Sequence, residues 1–259
     1  MEAAVLPPGA IIGATHSLAT PKPTRRKPET LVVRPSGLSP EADNPFKFDV
    51  ARGVEYRIVW ETMIKSKQLD LWSGLFPGME LPAPKAITGE TRIIPSHSFL
   101  GRIYEVDPFT PVGHAELISA MGHDFQTKFE EDVEFPQLPE GMREALKAWE
   151  DGKDYLLLRP SLGADSWGLS PRLVKWESTV RSDLALLTIP QIMACLMVTK
   201  LRECKGCESV FIDAPFYTPL DGGGETPSIQ VFGKKRKMEW GGSNVFIPCS
   251  GSGLAFLDE

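Results

Sequence analysis

Gly222 to Phe256 reads GGGETPSIQVFGKKRKMEWGGSNVFIPCSGSGLAF, and this stretch decides the fold. Pro227 to Phe232 alternates in part, Ile229 and Val231 against Ser228 and Gln230, before Gly233 closes it. That is a strand pattern. Lys234 to Lys237 supplies a charged turn, Met238-Glu239-Trp240 a second strand, Gly241-Gly242 a break, and Asn244 to Ile247 a third strand stopped by Pro248. The reading is a meander, with the Gly-Gly pair at a bulge or tight bend beside Trp240. Such a segment makes the floor of a sheet.

Helix and strand signals upstream supply what packs on that floor. Val54, Ile58 and Ile64 fall near helical spacing and Tyr56 and Trp60 widen the same face, which predicts an amphipathic helix from Val54 to about Leu75. Thr91 to Ile94 reads as a short strand, and Pro95 to Leu100 leads on from it with His97 in a strand-loop setting. His114 to Met121 reads as one or two helical turns closed by Gly122, and a further helix runs from Pro139 to Trp149. The continuous apolar run Tyr155 to Leu158 predicts a buried central strand. Ser170-Pro171 and Thr188-Ile189-Pro190 each open a helix, a capping side chain followed by proline in the first turn. The second of these helices is apolar on most sides and belongs beneath the sheet, with Val210 to Ile212 as the strand that follows.

Length and composition bound the class. The chain has 259 residues, 42% of them hydrophobic, enough to bury one large core. A net charge of -6 argues against a nucleic-acid-binding body, which needs a basic face for phosphates. The sequence holds no apolar run long enough for a membrane helix, and the N-terminus lacks the basic start of a secretory signal. Four cysteines are too few for a disulfide framework, so a cytoplasmic location is expected. Residues 1–45 hold eight of the 23 prolines and the basic cluster Lys22, Arg25, Arg26 and Lys27, which predicts a disordered arm ahead of a single domain over residues 46–259. The expected architecture is α+β, a largely antiparallel sheet with packed helices.

A resemblance covers roughly residues 150 to 256. Tyr155-Leu-Leu-Leu158 after an acidic-glycine turn, Leu169-Ser-Pro171, Leu187-Thr188 before a helix with Ala194, the run 224–229, Lys237-Met-Glu-Trp240 and Asn244 together resemble an uncharacterised, mainly actinobacterial family, a domain of unknown function. The chain departs from that family at Glu239, where the family has cysteine, and in a longer loop from Asp213 to Thr226. The resemblance implies a fold and carries no activity.

Several residue sets invite a chemical reading. Cys204-Lys-Gly-Cys207 has the spacing of a zinc clasp, yet no second such pair exists to complete a site. A plain turn is the competing reading. His114-Ala-Glu116 with that pair resembles the zinc deaminases, where His and Cys hold the metal and Glu moves protons. The proline and helix start which that signature places at the first cysteine are missing here. Cys249 beside Ser250-Gly-Ser-Gly253 offers a nucleophile that would need a positioned histidine, and His97 is the candidate; a buried cysteine in a last strand is the alternative. Gly222-Gly-Gly-Glu225 lacks the Lys-Ser or Lys-Thr of a phosphate loop.

No catalytic set is complete. The expected function is therefore a non-catalytic binding or protein-interaction protein without a cofactor, its partner a protein or a small molecule. Asp221, Glu225, Lys234, Lys235, Arg236, Lys237 and Trp240 form its candidate contact surface. The alternative is a zinc-dependent, deaminase-like hydrolase with Cys204, Cys207 and His114 on the metal and Glu116 as the proton-transfer group.

Overall fold

The computed structural model describes residues 57–83, 90–129, 140–150, 152–162, 187–205, 209–214, 225–232, 237–244 and 252–257. Within them the chain is α+β. Strand β1 (Arg57–Thr62) precedes helix α1 (Lys65–Leu75), and β2 (Arg92–Pro95) leads through α2 (His97–Tyr104) and α3 (Pro111–Asp124) to the short β3 (Thr127–Lys128). Helix α4 (Glu140–Trp149) is followed by β4 (Tyr155–Leu158) and β5 (Pro160–Leu162). Helix α5 (Ile189–Met197) then runs into β6 (Thr199–Lys205), β7 (Ser209–Asp213), β8 (Glu225–Phe232), β9 (Lys237–Asn244) and β10 (Ser252–Leu257).

The first two strands of the meander, β8 and β9, lie within a six-stranded sheet of order β3-β9-β8-β7-β10-β5, in which β3 with β9 and β10 with β7 are the parallel pairs, whereas Val245 to Ile247 of the expected third strand lie outside the described residues. Beside it lie two two-stranded ladders, β1 with β6 and β2 with β4, both antiparallel. Gly241-Gly242 does not break the second strand of the meander. Strand β9 runs through it, with Gly242 opposite Pro227 and Gly241 opposite Ser228. Residues without side-chain bulk let the ladder pass a proline that has no N–H to give.

Two other expectations are corrected. The helix expected from Val54 begins only at Lys65, because Ile58, Val59, Trp60 and Thr62 are β-branched or aromatic and find a partner strand in Thr199 to Lys205. Strand β4 is half-buried and not central: Leu156 and Leu158 face the core, whereas Leu157 is 39% exposed and β2 is the partner of β4 among the described residues. Helix α3 is also longer than its apolar pattern. Thr110 caps Gly113 N, Pro111 opens the first turn, and the helix runs on past Gly122, whose missing side chain leaves room for the Phe129 ring.

Helix α5 is buried along its whole length and packs on β2 and β6. Its start is a capping box, with Thr188 Oγ1 accepting from Gln191 N and Gln191 Oε1 accepting from Thr188 N. Helix α1 does a different task. Gln68 and Trp72, one turn apart, point at the edge of β2 that β4 leaves unpaired, and Trp72 also joins Phe76, Phe99 and Phe125 in an aromatic cluster. No helix among the described residues is long and apolar enough to cross a membrane. The arm over residues 1–45, the acidic stretch at Glu130 and the helix expected after Ser170 lie outside the described residues.

Candidate functional site

Two buried polar constellations lie at opposite ends of α5. The first begins where β2 turns into α2. Ser96 caps that helix, accepting from Phe99 N at 3.0 Å and donating to Lys153 O at 2.6 Å, and so fixes His97 as its first residue. His97 Nδ1–H donates to Glu150 Oε1 at 2.7 Å, and its Nε2 lies 2.9 Å from Thr188 Oγ1. Glu150 Oε2 accepts from Ser98 N at 3.2 Å. A carboxylate, an imidazole and a hydroxyl thus stand in the order of a hydrolytic triad, at the N-terminus of α5. Gln191 Nε2 beside it is a fully enclosed donor without a partner among the described residues.

His114 completes this cluster. Its ring stacks on His97 with centroids 5.8 Å apart, and its Nδ1–H donates to Pro108 O at 3.3 Å. Burial, reinforced by the neighbouring His97 ring, depresses the His114 pKa from 6.5 to about 3. The imidazole is neutral across the physiological range. His97, His114, Glu150 and Thr188 are each at most 1% exposed, and each is also a fastening between helices. The chain of groups has triad order, and each of its members is buried.

The second constellation surrounds Arg92. Its Nε–H donates to Thr199 Oγ1 at 2.6 Å, and Thr199 Oγ1–H donates in turn to Cys195 O at 2.6 Å, at the C-terminal end of α5. Arg92 Nη1 donates to Pro160 O at 3.2 Å. Every acceptor here is neutral. Burial lowers the arginine pKa from its ordinary value, opposed by Cys195 and Glu90, while burial pushes the Cys195 thiol up to about 12 despite Arg92. Cys195 is a neutral neighbour and not a counter-ion.

The residues singled out by sequence fall in several places. His114 belongs to the first cluster, but Glu116, two positions on, is exposed on another face of α3. Cys204 sits in β6 opposite Ile58, and Cys207 lies outside the described residues, as does Cys249. Among the described residues no group of three or more His, Cys, Asp or Glu could hold a metal ion. Glu225 opens β8 opposite Asn244, Trp240 faces Ile229 in register, and Lys237 opens β9 opposite Phe232. At about 3.4 Å per residue, the two ends of this hairpin are over 20 Å apart, so Glu225 and Lys237 do not form one compact patch. Asp221, Lys234, Lys235 and Arg236 lie outside the described residues.

Sequence reasoning missed Glu150, Thr188 and Arg92 as site residues. The signal for Thr188 was present as Thr188-Ile-Pro-Gln191, a capping-box spacing. Glu150 next to Asp151-Gly152 reads as a solvated helix end, and Arg92 reads as the polar start of an apolar strand. Compared with protein-family models, with curated proteins and with solved structures, the chain matches none of them.

Proposed function

We propose that this chain is a non-catalytic binding protein of a reducing, cytosolic compartment. The observation that supports the reading is the closure of the Glu150–His97–Thr188 chain on itself. Thr188 Oγ1 is already the cap of α5, Glu150 Oε2 is already the acceptor for Ser98 N, and all three side chains are buried. A general base needs a substrate proton within hydrogen-bond reach, and a nucleophile needs an approach path. Buried groups engaged in this way stabilise the packing of α2, α4 and α5. The free, buried thiol of Cys195 suits the reducing compartment.

The test is turnover and metal content on the full chain. An activated acyl ester and a set of nucleoside amines are incubated with the parent, Thr188→Val and Cys204→Ser, and bound metal is measured by atomic emission. The binding reading expects no turnover above solvent and no stoichiometric metal. Ester hydrolysis lost in a folded Thr188→Val variant would replace it with a hydrolase. About one zinc per chain, lost together with deamination in Cys204→Ser, would instead establish the zinc enzyme.

A further inference from the structure

Among the described residues, Arg92 is a buried charged side chain whose surroundings do not account for it. It is 6% exposed, yet the groups it touches are a hydroxyl and a backbone carbonyl. A guanidinium carries five N–H donors in a planar fork. Thr199 takes the one on Nε and Pro160 takes one on Nη1, which leaves both hydrogens of Nη2 and one of Nη1 without a partner among the described residues. The residue is not sealed in, since it keeps 6% of its exposure.

Charge balance points the same way. Buried arginines are paired as a rule, because an isolated charge removed from water is costly. The C-terminal end of α5, reached through Thr199 and Cys195 O, offers about half an elementary negative charge and offsets only part of that cost. Glu90, exposed and two residues away, acts on Arg92 through space without touching it. No carboxylate makes an ion pair with Arg92 among the described residues. Fixed by two bonds, the fork is held in one orientation, as bidentate recognition requires.

The geometry points to Arg92 as the anchor of a binding site for a small oxyanion, a carboxylate or phosphate group carried by the ligand. This deepens the binding reading and rests on it. Thr199 and Pro160 are the positioning groups, and the open N–H edge is the contact. Lysine cannot replace the arginine there, because a point charge offers no planar fork.

The experiment titrates the full chain with inorganic phosphate, and separately with acetate, against chloride at matched ionic strength. Binding is followed by calorimetry and by backbone amide shifts in heteronuclear NMR. A saturable isotherm is expected for one of the two anions, with shifts centred on Arg92, Leu162 and Thr199, and roughly tenfold weaker binding in Arg92→Lys. The anion that saturates at lower concentration identifies the group. Shifts that grow without saturating, or that centre elsewhere, overturn the proposal, as does equal affinity in a folded Arg92→Lys. Should that variant not fold, the shift map of the parent decides alone. Absent saturation and absent turnover together remove the anion site and leave the binding reading in place, whereas turnover removes the binding reading whatever the anions do.

Discussion

His97 Nδ1 and Glu150 Oε1 meet at 2.7 Å where neither side chain is more than 1% exposed, although 53 residues separate them in sequence. The contact joins the start of α2 to the end of α4, and Thr188 extends it to α5. Its energetic weight lies in what its loss would strand. Replacing Glu150 with Leu removes the acceptor for both His97 Nδ1–H and Ser98 N, and leaves two donors buried. The expected cost is about 3 to 5 kcal/mol, the range for breaking a buried pair by removing one partner. Glu150→Gln keeps an oxygen for one donor and should cost less than half of that. Urea unfolding followed by circular dichroism measures both, and equal losses in the two variants would show that packing rather than hydrogen bonding sets the cost.

The burial of His114, reinforced by His97 beside it, gives stability a pH dependence of defined sign. His114 titrates near 3 in the folded chain and near 6.5 when exposed, because burial and the neighbouring His97 disfavour its charged form. Between those values the unfolded chain binds one proton that the folded chain does not, so stability rises with pH across the window. It is lost as pH falls from about 6.5 toward about 3, at up to about 1.4 kcal/mol per unit from this group. Arg143 acts in the same direction, and the Pro108 carbonyl opposes it. Urea midpoints for the parent and His114→Gln at pH 7, 6, 5 and 4 isolate the term as a difference in slope. Parallel profiles would mean that His114 is not the titrating group.

Glu105 closes α2 in the left-handed region, at φ 57, and it is exposed. A side chain there costs more than glycine does, since the Cβ crowds the following carbonyl. Glu105→Gly gains on that account and loses some unfolded-state entropy, for a net rise of about 0.5 to 1 kcal/mol. Thermal unfolding checks it. A fall in the midpoint would show that the Glu105 side chain contributes a contact of its own.

What the sequence made legible was local. The alternation at Ser228 to Val231 and the proline-led cap at Thr188 each depend on neighbours within a few residues, and both appear where the pattern put them. The start of α1 was misread because Ile58 and Trp60 suit either period, and the choice was made by β6, some 140 residues on. The site was hidden for the same reason. His97, Glu150 and Thr188 come from three separate elements, and nothing in the neighbours of Glu150 marks it as buried. Arg92 was invisible because a charged residue at the start of a strand is ordinarily at the surface, whereas here Thr199 of β6 and Pro160 of β5 hold it at 6% exposure.

The edge of β2 opposite β4 carries the last prediction. An unpaired strand edge inside a core would leave its N–H and C=O groups without partners. Here side chains of α1 substitute for a strand: Gln68 Oε1 accepts from Ile93 N at 2.8 Å, Gln68 Nε2 donates to Met63 O at 2.8 Å and to Thr91 O at 3.2 Å, and Trp72 Nε1 donates to Ile93 O at 2.7 Å. Gln68→Met preserves length and volume while orphaning Ile93 N and two carbonyls, at about 1 to 3 kcal/mol for each group left dry. A total loss of about 3 kcal/mol or more is expected. Trp72→Phe removes one bond and some packing from the aromatic cluster, for about 2 kcal/mol, and the double variant should lose less than the sum, because both residues serve Ile93. Chemical denaturation of the four species gives the coupling. Strict additivity would mean that Gln68 and Trp72 act on independent parts of the fold and that the edge of β2 is satisfied in another way.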